Sequence, residues 1–545
     1  MSLPPLDVLR RFRAHDGGLS DFLASRAEAQ PDAPLVLFEG ATITTGAFAR
    51  EVERATALLA QRGIGEGDRL GVLSTNHPST AVLLFACARL GAILVPANPD
   101  YGADEAASVF GNAGIAGLIA APATLAVAQA AAARLPARPW LLLNEPAAGA
   151  RHPLLADALA ACDAVAPAPV ADAASRTCLL IYTSGTTGFP KGVMHGQRGV
   201  VLTGEGFVGR MWLQPEDRLL CVLPMFHINA LFYSLCGAIA CGGSVVFVRR
   251  FSASSFWRTV AETGATETNL MAAAARILML RPEAEFVPGH TLRKAFIAPL
   301  NDAVQRAFHE RFGVPDLIEC YGMTEIPGVL GNPFDGERRL GSCGKVSPHP
   351  DPDVTRPELR IVDEDMQDVP DDVHGELLVR TPTLMQGYWN NPDATAAAFH
   401  EGWFRTGDLV RRDADGFLHF VARRKDIIRR RGENISGAEL DRVIGAHPAV
   451  AEVATIGVPS DLGEEEILAA VVPREGAAVT ADEIAEWVRA RLAAYKAPRF
   501  VAFVPSLPQT ATQRIEKYKL RGDASLRANA VDLAAVTTTG KEPVA

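Results

Sequence analysis

Apolar positions along the chain fall into two rhythms. From about Leu35 to Ala298, short runs rich in Leu, Val and Ile alternate with longer stretches of helical spacing. RLGVLST (69–75) is followed by STAVLLFACARLGA (79–92) and then ILVPANP (93–99). The alternation returns at TCLLIYTS (177–184), RLLCVLPMF (218–226) and SVVFVRR (244–250). Unbroken apolar strands between helices predict parallel sheets covered on both faces. The Ala/Gly-rich stretch 113–134 reads as closely packed helices.

After about Arg360 the texture changes. GELLVR (375–380) reads as a strand, and LVRRDADGFLHFVARRKD (409–426) as a hairpin turning at Asp415–Gly416. Further on, TADEIAEWVRARLAAYKAP (480–498) predicts a helix with Thr480 and Glu483 as a capping box. Ile484, Val488 and Leu492 form its apolar stripe, and Pro498 stands beyond its end. The pattern therefore predicts an α/β protein: a large N-terminal domain (1–424) of packed α/β sheets with a β-rich subdomain, a small mobile α/β domain (425–528), and a loose tail (529–545). No tandem repeat is present.

Composition narrows this only modestly. A chain of 545 residues is too long for one core, in agreement with at least two domains. Its net charge of −10 argues against a general nucleic-acid binder. The eight cysteines include no C-x-x-C pair and read as small buried residues of a reducing compartment. The stretch 221–248 carries no charged residue, so a membrane span has to be weighed. Pro224, His227, Asn229 and the Gly242–Gly243 break fit a buried strand, helix and strand better. The N-terminus lacks the apolar core of a secretory signal, and the expected location is cytoplasmic.

The densest chemistry lies in IYTSGTTGFPKG (181–192). A buried strand that ends in Gly, Ser and Thr exposes backbone N–H groups and hydroxyls with little bulk, a nest suited to phosphate oxygens. Lys191 adds a positive charge. It is not the P-loop, because no glycine stands directly before a lysine followed by Ser or Thr.

This segment resembles the signature of the adenylate-forming (AMP-binding) superfamily, and later motifs resemble its acyl-CoA synthetase branch, in the family's order from about residue 20 to 525. The resemblance implies a two-step reaction. A carboxylate attacks the α-phosphate of ATP, giving an acyl-adenylate and pyrophosphate, and a thiol, usually of coenzyme A, then displaces AMP. It implies that Thr183, Ser184, Gly185, Thr186, Thr187 and Gly188 cradle the outer phosphates together with Lys191. In YGMTE (321–325) it places Tyr321 on adenine, Thr324 at the α-phosphate and Glu325 on Mg²⁺, with Gly322 and Met323 beside the substrate. Alone, YGMTE also fits a Tyr-Gly turn ahead of a helix.

The resemblance also puts Ala298 and Pro299, with Leu300, at the nucleotide pocket. Asp408 and Arg423 stand at the ribose, although Ala422 replaces the usual glycine. Lys425 is the hinge position and Gly432 adjoins the pantetheine tunnel. In the basic cluster Arg423, Arg424, Lys425, Arg429, Arg430 and Arg431, the arginines are expected partners for coenzyme A phosphates. His227 in PMFHINA is either a buried core histidine or the family's acyl-site gate. Ala272–Ala275 and Gly328–Leu330 are expected near it. The spacing of PMFHINALF is similar to that of carnitine- and crotonobetaine-type ligases. Expected partners are a small carboxylic acid, ATP and coenzyme A, for a monomer or homodimer without nucleic acid or membrane insertion.

One departure stands out. The family's small domain ends in a Pro-x-Thr-x-Thr-Gly-Lys type of motif whose lysine enters the active site. Here LPQTATQRIEKYKLR (507–521) carries Pro508, Thr510 and Thr512, but Gln513–Arg514 where Gly-Lys is usual. Arg514 keeps the charge on a wider, planar group. Lys517 is a substitute three residues off register, and Lys541 in TTTGK (537–541) is a superficial copy in the tail. The alternatives are an enzyme that loads a separate carrier protein, or a nucleotide-binding member with little turnover.

Overall fold

The computed structural model describes residues 2–147, 152–183, 190–430, 433–460, 464–509 and 515–533. The chain divides into two compact units, one of residues 1–359 and 379–404, the other of 360–378 and 405–545.

The first unit contains two seven-stranded sheets. One runs in the order Asp316–Ile318, Lys294–Ala298, Glu267–Met271, Arg218–Cys221, Ser244–Phe247, Pro34–Phe38, Ala41–Thr44, parallel except for its last pair. The other runs Gly387–Tyr388, Lys191–Gly196, Thr177–Thr183, Ile93–Ala97, Arg69–Leu73, Gly117–Ala120, Trp140–Leu143. Its last five strands are parallel, as the apolar runs predict. A shared core joins the two sheets through helices including Thr45–Gln61, Pro78–Leu90 and Gln197–Met211. Pro78–Leu90 is buried nearly all round, as a helix apolar on every face must be. Pro78 opens it and Gly91 closes it in the left-handed conformation. Each large apolar side chain so buried contributes about 1.5–3 kcal/mol. Separate cores line the sheets' other faces.

Two local expectations change, and the reading of the charge-free stretch 221–248 as strand, helix and strand agrees with the structure. Within 113–134, Gly117–Ala120 is a buried strand between the helices Ala103–Ala113 and Leu125–Ala132. Small residues suit a strand enclosed on both faces as well as they suit a helix. The YGMTE segment precedes no helix: Cys320–Met323 and Ile326–Gly331 form an antiparallel hairpin. The charge-free stretch resolves into the end of strand Arg218–Cys221, the helical turns Asn229–Leu235 and Cys236–Cys241, and strand Ser244–Phe247. Among the described residues no helix is long and apolar enough to cross a membrane.

In the second unit, residues 408–412 pair with Leu418–Arg423 as the expected hairpin, with Gly416 at φ +84° in its turn. A four-stranded sheet follows in the order Val450–Pro459, Glu465–Pro473, Phe500–Phe503, Val531–Asp532. The helices Gly437–Gly445 and Ala481–Arg489 bury Leu440, Ile444, Ile484 and Val488 in the core on one face of it. The capping box of Thr480 and Glu483 forms, but the helix stops at Arg489, so Leu492 packs from beyond its end. Val531–Asp532 is tied in as the edge strand, and Arg499 pairs with Asp532 at 2.9 Å, although the tail was expected to begin at residue 529.

Candidate active site

Thr183 ends the strand Thr177–Thr183, directly before the Gly/Ser/Thr-rich run of the sequence. Ser184, Gly185, Thr186, Thr187 and Gly188 lie outside the described residues. The chain returns as the antiparallel strand Lys191–Gly196, with Lys191 paired directly to Thr183. A hairpin, rather than a strand-to-helix crossing, therefore presents the lysine. Its ammonium lies 4.9 Å from the centre of the Tyr388 ring. Lys191 also lines a small cleft with Asn112, Tyr182 and Trp389.

Met323 pairs with Ile326, which makes Thr324 and Glu325 the two residues of the hairpin turn. Both are half-buried, as is Tyr321. The Glu325 carboxylate accepts a hydrogen bond from the Tyr388 hydroxyl at 2.9 Å, and its backbone carbonyl accepts one from Met385 N–H at 2.8 Å. Lys191 and Glu325, far apart in sequence, are thus both in contact with Tyr388. Gly322 and Gly328 have packing roles in the same hairpin. A Cβ at Gly322 would stand 2.9 Å from the Gly328 nitrogen. Gly328 sits at φ +62°, where its carbonyl accepts a 2.6 Å hydrogen bond from the buried Arg210 guanidinium.

Strand Lys294–Ala298 delivers Ala298 and Pro299 to a loop beside Glu319. Burial pushes the Glu319 carboxyl up to about 8, against the backbone hydrogen bonds of Leu300 and Gly341. His227 follows strand Arg218–Cys221, its ring 4.4 Å from that of Phe226. Burial lowers its pKa to about 4, so the imidazole is neutral at pH 7. A π-helical turn, Asn229–Leu235, starts two residues on; such turns recur at functional sites. Of the alanine run, Ala272, Ala274 and Ala275 are buried at the start of helix Ala272–Leu280, while Val329 and Leu330 are buried in their strand.

Within the second unit, Asp408 and Arg423 are register partners, and Arg423 Nε lies 3.2 Å from a carboxylate oxygen of the buried Asp408. Ala422 is fully buried opposite Leu409, beside a register shift in the hairpin, so a methyl group is accommodated where glycine is usual. Glu376 ties this region together. Its carboxylate accepts from Arg405 at 2.7 Å, from Gly407 N–H at 3.3 Å and from Arg424 at 3.2 Å. The backbone of Lys425 lies in the short turn Arg424–Asp426, and Arg521 reaches Asp426 at 3.0 Å.

Among the described side chains of the basic cluster, Arg423, Arg424 and Arg430 are paired with carboxylates of their own unit. Arg430 is bound to Glu466 at 2.6 Å and to two carbonyls, a structural commitment that the expectation of phosphate-binding arginines did not foresee. Gly432, Arg431 and Arg514 lie outside the described residues, as does Lys541. Lys517 is not a free substitute for the missing lysine: its ammonium pairs with Asp441 at 2.5 Å.

The residues the sequence did not single out are Tyr388, Glu376, Arg210, Glu319 and Asp441. Nothing in QGYWNN or HGELLV distinguishes a site tyrosine or glutamate from core or surface, and only the pairing of distant strands reveals them.

Comparison with known proteins agrees with this geometry. The AMP-binding enzyme family model matches residues 23–389, and the AMP-binding enzyme C-terminal domain matches 439–514. A sulfoacetate–CoA ligase of Cupriavidus necator is 34% identical over 93% of this chain and 98% of that protein. A crotonobetaine/carnitine–CoA ligase of Escherichia coli is 31% identical over 87% of this chain and 92% of its own length. The structure of ATP-bound MatB from Rhodopseudomonas palustris superposes with a TM-score of 0.82 at 27% identity, covering 92% of this chain and 98% of that one. The chain belongs to the AMP-binding enzyme family, on its acyl-CoA synthetase branch.

Proposed function

We propose that this chain activates a small carboxylic acid with ATP and transfers the acyl group to coenzyme A. The observation that supports this best is the meeting of Lys191 and Glu325 at Tyr388, a cation and a carboxylate beside a Gly/Ser/Thr-rich strand end. In the first step a carboxylate oxygen bonds to the α-phosphorus and the bond to the bridging oxygen breaks, releasing pyrophosphate. In the second, the thiol sulfur bonds to the acyl carbon, its proton is lost to solvent, and AMP leaves with the electron pair.

Thr183 and the residues Ser184 to Gly188 take the outer phosphates with Lys191. Tyr321 takes adenine, Thr324 the α-phosphate, and Ala298 and Pro299 line the nucleotide pocket. Asp408 accepts from the ribose hydroxyls beside Arg423, and two acceptor oxygens on one short side chain suit a vicinal diol. His227, Met323 and Gly328 border the acid. Because the attacking acid is already ionised, the first step needs no base, and His227 acts as a gate.

Glu325 fits Mg²⁺. Among the described residues no group of three His, Cys, Asp or Glu could hold a metal by itself, and magnesium is commonly held by one or two carboxylates plus substrate phosphates. Bound there, the ion would offset phosphate charge. Lys425 acts as the hinge between the half-reactions and Gly432 borders the pantetheine path. The turn Arg424–Asp426 is gripped on both sides by Glu376 and Arg521, so Lys425→Pro should spare pyrophosphate exchange while slowing thioester formation about tenfold or more. Equal loss of both would sink the hinge assignment.

Acid-dependent exchange of labelled pyrophosphate into ATP tests the first step, and coenzyme A consumption the second. Absence of exchange with every acid of a broad panel, at high enzyme concentration, rejects the proposal. The reading of a member with little turnover is favoured by one observation, the pairing of Lys517 with Asp441, which leaves Arg514 to supply the charge. Two relatives of similar identity are named for different acids, so identity does not select the acid.

A further inference from the structure

Tyr388 occupies a place that packing alone does not explain. It lies on the edge strand Gly387–Tyr388, paired antiparallel with Lys191–Gly196, so that Tyr388 stands opposite Val193. Its backbone is pinned on both sides: its own N–H donates to Thr395 Oγ1 at 2.9 Å, and Trp389 N–H donates to the Gly192 carbonyl at 2.7 Å. Gly387 precedes it at φ +138°, a conformation that side chains rarely adopt, and a Cβ there would meet Thr395 at 3.0 Å. The strand end is thereby shaped to deliver one ring between two candidate site residues.

The two ends of that ring do different things. The hydroxyl donates to Glu325 Oε1 at 2.9 Å, and among the described residues no hydrogen bond reaches Oε2. The π face lies 4.9 Å from the Lys191 ammonium. A carboxylate oxygen only accepts, so the phenol hydroxyl is the donor in this bond.

We propose that Tyr388 is a positioning residue for the adenylation site: its hydroxyl holds Glu325 with one oxygen turned to a nucleotide-bound divalent cation, while its ring steadies the Lys191 ammonium without neutralising it. Both halves follow from general chemistry. A carboxylate that binds a metal is commonly oriented by a hydrogen bond from a neighbour, and losing that neighbour typically lowers metal affinity about 10–100-fold. An ammonium over an aromatic face is held by about 0.5–1 kcal/mol at an exposed site and keeps its whole charge for an anion. The inference rests on the functional reading above.

The test uses the full chain and Mn²⁺ as a spin probe, with the non-cleavable α,β-methylene analogue of ATP. In the parent, Mn²⁺ should bind only together with the analogue. Tyr388→Phe keeps the ring and removes the hydroxyl. It should weaken Mn²⁺ binding about tenfold or more and leave metal-free binding of the analogue unchanged. Tyr388→Leu also removes the ring face, and should weaken metal-free binding by a further factor of about two to five. In pyrophosphate exchange, Tyr388→Phe should raise the Mg²⁺ concentration for half-activity more than it lowers the rate at saturating Mg²⁺. Equal Mn²⁺ affinity in the parent and Tyr388→Phe overturns this inference alone. A parent that binds no Mn²⁺ with the analogue overturns the functional reading as well. Should Tyr388→Leu not fold, the Phe variant decides the proposal by itself.

Discussion

Lys191 and Lys517 each lie close to a segment marked by threonines, and each is a candidate cation for the chemistry of this family. Their surroundings differ in kind. Lys191 lies over the Tyr388 ring, and among the described residues no carboxylate pairs with it. Lys517 ends on Asp441, whose carboxyl also accepts from Thr455 N–H at 2.6 Å. A π face holds an ammonium without cancelling its charge, whereas a carboxylate supplies the counter-ion that a phosphate would otherwise be. Proximity to a motif therefore says less about a lysine than the chemistry of its nearest neighbour. The first keeps its charge uncancelled by any carboxylate among the described residues; the second anchors helix Lys517–Gly522 to its own unit.

Substituting the two lysines in parallel tests this contrast most strongly. Lys191→Ala should lower pyrophosphate exchange about 10²–10³-fold, the usual loss for one preorganised electrostatic contact. Lys517→Ala should leave exchange per folded molecule within about twofold but lower stability by about 1 kcal/mol, because the half-buried Asp441 is left without its cation. Loss of exchange in a stably folded Lys517→Ala would break the comparison.

Arg514 comes next. If it carries the role that Lys517 does not, Arg514→Ala should lower exchange about 10²-fold and Arg514→Lys should preserve or raise it. Exchange at the parent rate in Arg514→Ala removes that assignment.

The smallest expected effect concerns acid. His195 is fully buried on the strand of Lys191, edge-on to Phe232 at 5.0 Å, and burial depresses its pKa to about 3. Because the folded value lies below the unfolded one, protons bind the unfolded chain first and stability falls as pH drops below about 6.5. By pH 5 the loss should be about 2 kcal/mol, measured by denaturant titration. His195→Leu should flatten that slope, and an unchanged slope would exclude His195 as its source. A flattened slope would mean that the strand carrying Lys191 is acid-sensitive for a reason unrelated to phosphate.

Much of the fold was legible because its signals are local. The Asp415–Gly416 turn, the Thr480–Glu483 capping box and the apolar runs of the parallel strands each need only a few neighbouring residues to be read. The errors arose where composition fits two states. Gly117–Ala120 is small enough for a helix and is a strand because it is enclosed on both faces. Thr324 and Glu325 form a turn because Tyr321 and Met323 pair with Leu330 and Ile326, which no window of five residues announces.

By itself, the sequence determined which groups are available: a Gly/Ser/Thr-rich run with Lys191, a Thr–Glu pair, Asp408, and an arginine at 514. It also determined the α/β layering, since unbroken apolar runs between helices have few other ways to be buried. Only the tertiary structure decided which charges were already spent. Arg430 goes to Glu466 and Lys517 to Asp441, while Lys191 and Glu325 share one tyrosine instead of pairing with each other. The physical reason is range. Strand and turn preferences act over a few residues, whereas the field at a side chain is set by whichever partners strand pairing and helix packing bring within a few ångströms.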